Sequence, residues 1–280
     1  MSHEPVANDS AISNSVADSN IEWPARLRRR YTPLSLIARG MADVFRARDE
    51  FLGRDVAVKL FRAAATTEND FRRQEVEVDV LARLNHPNLV TLLDAAVDRT
   101  DPVSPRIYFV MELVEGTDLK RRLDSGPLRN RQVAQVGYGV ATALQYVHDL
   151  GIVHRDVKPA NVMVPDDGGA AKLTDFGIAQ LIGDDALTRT GDVVGTLAYM
   201  APEQAEGRAI SPSVDLYALA LVLYEALSGV NPVRGRTPAA TIRRVGERLP
   251  ALGRLRRDLP LELCTAIDTA VLPHPEQRGK

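Results

Sequence analysis

The sequence contains a single cysteine among its 280 residues, which excludes an intramolecular disulfide. Cys264 falls in an apolar, helix-like pattern, so we predict a buried structural thiol. The lack of a disulfide framework is compatible with a reducing compartment. Neither sign of charge dominates, because the formal net charge is only −2. The composition therefore gives no basic footprint for nucleic acid, and we expect no nucleic-acid partner.

Long apolar runs are also lacking. The longest, Leu216–Leu227, is interrupted by Glu225 and is shorter than the ~18 residues that a membrane span requires. The N-terminus is polar and lacks the basic-then-apolar order of a secretory signal. We therefore expect no membrane segment in this chain and a cytoplasmic location. Residues 1–20 contain few large apolar side chains, which predicts a disordered polar tail over 1–25 and a folded domain over 26–280.

Two kinds of periodicity divide the folded part. Residues 55–61 and 107–111 are β-rich and alternate like strands, and 71–84 is long enough for one helix. From about residue 114 onward the apolar spacing becomes helical, and Gly151 is typical of the position that ends a helix. Ser211-Pro212 is typical of a helix start, before a helix apolar on nearly all sides. This order predicts an α+β fold with a small β-rich lobe over about 26–113 and a larger helical lobe over about 114–280.

Three motifs carry residues suited to phosphate chemistry. In His154-Arg-Asp-Val-Lys-Pro-Ala-Asn161, a carboxylate, a lysine and an amide lie close enough to converge from one loop. Fourteen residues after Asn161, Asp175-Phe-Gly177 supplies a second oxygen ligand. Two oxygen ligands plus phosphates describe a magnesium site. Upstream, Val56-Ala-Val-Lys59 places one lysine among the apolar residues of a strand. Each of these motifs alone is common in proteins, but the presence of all three in this order is not.

Together these motifs resemble the eukaryotic-like protein kinase family, in its bacterial serine/threonine branch. The resemblance covers roughly residues 31–278 and includes Ala201-Pro-Glu203 and the phrasing of 195–204. It implies a two-lobed protein kinase fold with an ATP cleft between the lobes. It also implies signalling by transfer of the ATP γ-phosphoryl group to serine or threonine hydroxyls of protein substrates. ATP and Mg²⁺ or Mn²⁺ would be the cofactors.

The resemblance assigns roles to the motif residues. Asp156 is the catalytic carboxylate and Lys158 steadies the γ-phosphate, while Asn161 and Asp175 hold the metal. Lys59 contacts the α- and β-phosphates and pairs with a glutamate of the following helix. Glu75 and Glu77 compete for that pairing. We favour Glu77, because apolar residues follow it at three, four and seven positions and place it at the edge of the buried stripe.

The resemblance also predicts the nucleotide pocket. Its residues would contact adenine, the ribose or the phosphates: Ile37, Gly40, Val44, Ala57, Met111, Glu112, Val114, Asp118 and Met163. Glu112 and Val114 would act through backbone groups, and Asp118 would reach the ribose. Each apolar member also suits a plain core position, so only its place relative to the motifs favours the pocket.

Residues 175–203 resemble an activation segment. Thr188 and Thr190 lie midway along it, where related kinases are phosphorylated, and Arg155 is placed to pair with a phosphothreonine. The resemblance further implies that Thr196 contacts Asp156 and Lys158. It implies an ion pair between Glu203 and Arg278, and bracing of the catalytic loop by Asp215 through backbone N–H groups. Bacterial relatives often dimerise through the small lobe, which makes a homodimer of that kind an expectation.

The sequence departs from the family pattern in three places. The phosphate loop, 37–44, keeps only Gly40, with Ala38 and Ala42 in place of the outer glycines, and is one residue short. Ala220 replaces a usual glycine, and the final helix of the family is absent after Arg278. The irregular loop supports an alternative hypothesis, a pseudokinase scaffold without turnover. A small-molecule phosphotransferase is a third, disfavoured by Ala201-Pro-Glu203.

Overall fold

The computed structural model describes residues 23–40, 42–61, 81–98, 106–175 and 196–279. These residues form two compact units. The first contains the described residues up to 61 and from 94 to 113, and the second contains those from 81 to 93 and from 114 to 279. The predicted limits of the tail and of the lobes stay predictions.

The first unit is built on a five-stranded antiparallel sheet. After a short helix, α1 (Ala25–Arg28), its strands are β1 (Tyr31–Ala38), β2 (Ala42–Asp49), β3 (Arg54–Phe61), β4 (Leu92–Asp98) and β5 (Arg106–Glu112). Their order in the sheet is β1-β2-β3-β5-β4. The strands predicted over 55–61 and 107–111 are thereby confirmed. The first is extended by one residue at its start, and the second by one residue at each end.

One face of this sheet packs against the hydrophobic core of the first unit. Phe45, Val58 and Val110 are directly paired across β2, β3 and β5, and all three are completely buried. Trp23 meets Phe45 edge to face, with ring centroids 5.2 Å apart. Because side chains alternate along a strand, the residues flanking these three must lie on the opposite face.

The second unit is mostly helical and includes a small three-stranded sheet. Its helices are α2 (Leu119–Asp124), α3 (Asn130–Asp149), α4 (Pro202–Ala205), α5 (Ser213–Ser228), α6 (Pro238–Arg244), α7 (Leu252–Leu255) and α8 (Leu261–Ala270). Its strands are β6 (Gly116–Asp118), β7 (Val162–Pro165) and β8 (Lys172–Leu173), in that order. Two 3₁₀ turns, Pro159–Asn161 and Pro275–Gln277, complete it.

The long helices follow the sequence pattern closely. In α3 the apolar residues at three- and four-residue spacing are buried, and Gly151 just beyond it has φ +76°, which a side-chain-bearing residue rarely adopts. Helix α5 is buried on nearly all sides. Its start differs slightly from the prediction. The helix begins at Ser213, although Pro212 already has helical angles of φ −49° and ψ −24°.

Helices α3, α5 and α8 share the core of the second unit, and Cys264 of α8 is 3% exposed within it. Burial raises the pKa of its thiol, which agrees with the predicted structural role. Among the described residues, none of the helices is both long and apolar enough to cross a membrane.

Candidate active site

The predicted catalytic loop lies between α3 and β7, and its polar side chains converge. Lys158 Nζ lies 2.8 Å from Asp156 Oδ2. Asn161 Nδ2 donates to the same oxygen at 3.0 Å and to the Asp156 carbonyl at 2.8 Å. The 3₁₀ turn at Pro159–Asn161 folds the chain back, which brings Asn161 to the carboxylate five residues earlier. The three side chains therefore form one connected group.

Asp215, at the start of α5, holds this loop through its backbone, as the resemblance implied. Its Oδ2 accepts from His154 N at 2.8 Å, and its Oδ1 accepts from Arg155 N at 2.7 Å. A second contact was not predicted: His148 Nε2 lies 2.8 Å from Asp215 Oδ2. The sequence offers no direct signal for it beyond a histidine in the last turn of α3, 67 residues before its partner.

The backbone of the loop is strained at two points. Arg155 has φ +67° and Asp175 has φ +65°, a conformation that costs non-glycine residues free energy. Two bonds constrain these positions: Asp215 holds the Arg155 amide, and His154 Nε2 lies 2.9 Å from the Thr174 carbonyl. The strained backbone sets the direction of the side chains that follow. This conformation lowers the stability of the folded state but fixes the geometry of the loop.

The predicted metal ligands are held next to each other. Thr174 N donates to the Asn161 carbonyl at 2.9 Å, which fixes Asp175 beside Asn161. Because Asn161 uses its amide nitrogen on Asp156, its amide oxygen is the atom left to face a cation. A carboxylate and an amide oxygen are ligands that Mg²⁺ prefers, with phosphates and water completing the shell. In the described ranges no cluster of three or more His, Cys, Asp or Glu residues occurs. The pair of an amide oxygen and a carboxylate fits a phosphate-bound Mg²⁺.

Asp118 and Met163, both predicted for the nucleotide pocket, are paired directly across β6 and β7. Paired residues of neighbouring strands share a face, so the two side chains lie on the same side of the small sheet. Asp118 also caps α2 by accepting from Arg121 N at 2.8 Å. That cap fixes its position and gives it a structural role beside the predicted one.

In the first unit, four predicted residues share one face of the sheet. The register pairs Val44 with Lys59 and Ala57 with Met111, and the period of two puts all four on the face opposite Phe45. Lys59 Nζ lies 5.3 Å from the centre of the Phe61 ring. A lysine thus stands on this face beside apolar neighbours, as its sequence context indicated.

The predicted phosphate loop is the tight connection between β1 and β2. Ala38 ends β1 and pairs with Val44, next to an irregularity in the register at Ile37, whose side chain is 45% exposed. Ala42 begins β2 and is buried. A Cβ added at Gly40 would meet no atom within 4 Å. Steric crowding is therefore not a reason for glycine at this position.

For two residues predicted to contact the nucleotide, Glu112 and Val114, the structure gives the position in the chain only. Glu112 ends β5 opposite Val56, and Val114 follows in the chain segment before β6. Other predictions lie outside the described residues: the glutamates Glu75 and Glu77, the threonines Thr188 and Thr190, and residues 176 and 177 of the Asp-Phe-Gly motif.

The segment 196–200 joins the catalytic loop to a buried polar cluster. Lys158 Nζ donates to Thr196 Oγ1 at 3.0 Å, which matches half of the expectation for Thr196; within the described part of the chain no Asp156 contact accompanies it. Three residues later, Tyr199 OH donates to Glu225, and burial raises the pKa of that hydroxyl. Arg234 binds both partners, at 2.9 Å from Tyr199 OH and 3.0 Å from Glu225 Oε1.

Sequence reasoning missed this cluster because Tyr199 lies 26 residues before Glu225 and 35 residues before Arg234. A glutamate inside the apolar pattern of α5 was the only available signal. The predicted ion pair of Glu203 and Arg278, by contrast, is present. It is bidentate, at 2.6 and 2.8 Å, and both side chains are buried.

Comparison with known proteins decides the family. The family model described as protein kinase domain matches residues 31–265. The chain belongs to the protein kinase family. A probable serine/threonine-protein kinase of Streptomyces coelicolor, SCO3848, is 42% identical over 225 residues, which cover 79% of this chain and 33% of that protein. The serine/threonine-protein kinase PknB of Mycobacterium tuberculosis is 37% identical over 261 residues, which cover 91% and 41%.

The solved structures agree with the fold. The kinase domain of Mycobacterium tuberculosis PknI matches with a TM-score of 0.71 and 27% identity, over 92% of each chain. The predicted two-lobed kinase fold, with a small antiparallel sheet and a larger helical unit, is therefore confirmed. The chain spans about a third to two fifths of the length of the curated relatives named above. Protein kinases generally use ATP and Mg²⁺.

Proposed function

We propose that the chain is an ATP-dependent serine/threonine protein kinase. The observation that carries this proposal is the connected group of Asp156, Lys158 and Asn161, extended by Lys158 to Thr196. A carboxylate, a phosphate-binding cation and a metal ligand within one hydrogen-bonded group suit the transfer of a phosphoryl group to a hydroxyl. The bacterial serine/threonine kinases that the chain resembles support the acceptor class.

In this mechanism Asp156 orients the acceptor hydroxyl and receives its proton. The acceptor oxygen forms a bond to the γ-phosphorus while the bond from that phosphorus to the β–γ bridging oxygen breaks, and ADP is the leaving group. Lys158, already 2.8 Å from Asp156, stabilises the negative charge of the transferred group. Asn161 and Asp175 would hold Mg²⁺, which when bound neutralises phosphate charge and orients the γ-phosphoryl group.

The resemblance to protein kinases also assigns nucleotide contacts to Val44, Ala57, Lys59 and Met111, which share one face of the sheet in the first unit. Lys59 would bind the α- and β-phosphates and pair with Glu77. The two apolar residues from β2 and β3 would contact adenine, with Met111 behind it. From the second unit, Asp118 would reach the ribose and Met163 would contact the base. Ile37, Gly40, Glu112 and Val114 would complete the site.

A transfer assay tests the proposal. The purified chain is incubated with [γ-³²P]ATP, Mg²⁺ and a generic protein substrate such as casein, with EDTA as the control. We expect label on serine and threonine of the substrate, and none with EDTA. A pseudokinase scaffold would bind a fluorescent ATP analogue without incorporation, and a small-molecule phosphotransferase would consume ATP without labelling protein. Either result would overturn the proposal.

We also propose that Thr188 and Thr190 are autophosphorylated and that the phosphate pairs with Arg155. Arg155 Nε is buried and, among the described residues, has no hydrogen-bond partner, so it can donate to a phosphate oxygen without losing an existing bond. We expect phosphopeptide mapping of the active enzyme to find these threonines modified. The variant with Thr188→Ala and Thr190→Ala should be less active. Active enzyme with neither threonine occupied would contradict this proposal.

The partners of the chain would be proteins with serine or threonine acceptors. Homodimerisation through the small lobe and a cytoplasmic location stay predictions. Analytical ultracentrifugation at several concentrations measures whether the chain dimerises.

A further inference from the structure

The stretch between residues 234 and 257 is strongly basic. It contains eight arginines and one acidic residue, Glu247, which gives a formal charge of +7 in a chain whose total is −2. The remainder of the chain therefore carries about −9 on the same count. No lysine occurs in this stretch. Arginine presents a planar fork of donors that matches a carboxylate in two parallel hydrogen bonds, which lysine does not.

We use the name arginine surface for five arginines of this stretch: Arg236, Arg243, Arg248, Arg254 and Arg257. All five are exposed. Within the ranges that the structure describes, none of their side chains makes a hydrogen bond or an ion pair. In contrast, Arg234 and Arg256 of the same stretch are bound to Glu225 and Asp258.

The opposite side of this stretch is fixed to the core of the second unit. Thr241 and Leu252 are completely buried, and Val245 and Leu249 pack against the hydrophobic core. The Tyr224 hydroxyl donates to the Pro250 carbonyl at 3.0 Å. The arginines therefore project from a backbone that is already ordered, which lowers the entropy cost of binding a partner.

Neighbours of the arginine surface in the same stretch lie close to residues 199–202, which follow the Lys158 contact of Thr196. Arg244 Nη1 donates to the Arg234 carbonyl at 2.8 Å, and Arg234 in turn holds Tyr199. Just beyond the C-terminal end of α6, a Cβ added at Gly246 would lie 3.7 Å from the ring of Pro202, at ordinary van der Waals distance. A ligand on this surface would thus lie beside residues 196–202, which lead to Lys158.

We infer that the arginine surface docks acidic segments of the protein substrates and so raises their local concentration beside the acceptor site. The inference rests on the proposed function. Charge complementarity selects the partner, because the five arginine forks have no partner among the described residues while the rest of the chain, at about −9, repels an acidic peptide. Exposed apolar side chains among the arginines, Ile242 at 51% and Leu255 at 52%, suit a peptide that carries both carboxylates and apolar residues.

Nucleic acid and membrane surfaces fit the observations less well. A nucleic acid is a long polyanion that extends past the arginine surface, where the remainder of the chain, at about −9, repels it, whereas a short acidic segment can lie on the arginines alone. Binding to a membrane surface favours a continuous amphipathic helix, whereas α6 has seven residues and α7 has four, with irregular chain between them.

A binding experiment tests the surface without using catalysis. The probe is a fluorescein-labelled peptide of alternating glutamate and leucine that lacks serine, threonine and tyrosine, measured by anisotropy. The test variant carries Arg243→Gln and Arg248→Gln. The matched control carries Arg83→Gln and Arg131→Gln, which remove the same charge from exposed arginines elsewhere in the second unit. We expect roughly a threefold to thirtyfold weaker binding in the test variant only, the worth of two exposed pairs.

A kinetic experiment connects binding to substrate choice. One acceptor peptide is compared with and without a glutamate-rich extension. We expect the extension to lower KM in the wild type and in the control variant, to have no such effect in the test variant, and to leave kcat unchanged throughout. Equal KM effects in all three proteins, or equal probe affinities, would overturn the inference. So would binding of single-stranded RNA or anionic vesicles in preference to the acidic probe. If the chain transferred no phosphate at all, the proposed function would fail while the probe measurement still decided whether the surface binds.

Discussion

The catalytic loop and the phosphate loop of this protein are built in opposite ways. Around Asp156 the side chains of Lys158 and Asn161 are held by mutual bonds, and Asp215 fixes the backbone as well. At Gly40 the chain turns with nothing within 4 Å of an added Cβ. The sequence matches the family motif in the first region and departs from it in the second. A site fixed by many mutual bonds tolerates little change, whereas an open turn can lose glycines without harm to the fold.

The largest effect on phosphoryl transfer is expected from a change at Asp156 in the catalytic loop. Asp156→Asn keeps the shape that Asn161 and Lys158 bind, but an amide cannot receive the hydroxyl proton. We expect phosphoryl transfer to fall by about 10²-fold or more, from the general-base range, while ATP affinity stays close to that of the wild type. Initial rates with labelled ATP and equilibrium binding of nucleotide measure the two separately. Asp149→Asn, an exposed carboxylate on α3, is the control. Near-normal transfer by Asp156→Asn would refute the assigned role.

A second change examines the lysine in the other unit. Lys59→Met removes the charge that would orient the phosphates but keeps the length and the apolar contacts of the side chain. We expect roughly a tenfold to hundredfold loss in kcat/KM, as for misplaced reactants. Glu77→Gln should cause a milder loss of the same kind, and Glu75→Gln little. If Glu75→Gln is the more damaging of the two, the helix register inferred from the sequence is wrong.

The buried ion pair extends the comparison from activity to stability. Arg278 and Glu203 are 0% and 2% exposed, so Arg278→Ala leaves a carboxylate buried without its partner. We expect a loss of about 3–5 kcal/mol in the free energy of unfolding, measured with urea. The matched control is Arg208→Ala, which breaks an exposed pair with Glu206 and should cost about 1 kcal/mol or less. Equal losses in the two variants would show that burial does not set the strength of these pairs.

The sequence predicted what depends on short spacing. Asp156, Lys158 and Asn161 lie within six residues, so any loop that joins a helix to a strand brings them close. The resemblance to protein kinases named Val44, Ala57, Lys59 and Met111 as nucleotide contacts, but their shared face follows from the sheet register, which the structure supplies. The contacts of His148 with Asp215 and of Arg234 with Tyr199 were not predicted. They depend on how α3 and α5 lie against each other and on a turn after α5, which no local pattern encodes.

Changes in the phosphate loop should have the smallest effect, and that effect should be on the KM for ATP. Backbone N–H groups can cradle phosphates only where the chain approaches closely, and a Cβ at Ala38 or Ala42 restricts that approach. We expect a KM for ATP higher than in kinases with the full glycine loop, with transfer less affected. Inserting a glycine after Gly40 together with Ala38→Gly should lower KM by about fivefold, the worth of about one added hydrogen bond.

The structure supplies the control for that repair. Because an added Cβ at Gly40 meets no atom within 4 Å, Gly40→Ala should leave the melting temperature unchanged, so that any rise in its KM reports the loop's conformational freedom and not damage to the fold. The competing view is that Arg39 or Met41 supplies contacts in place of the missing glycines. On that view the repaired loop shows an unchanged or raised KM, and Arg39→Ala raises it in the natural loop. Measured side by side, the repaired loop and these two variants separate a loop that lacks phosphate contacts from one that makes them by other residues.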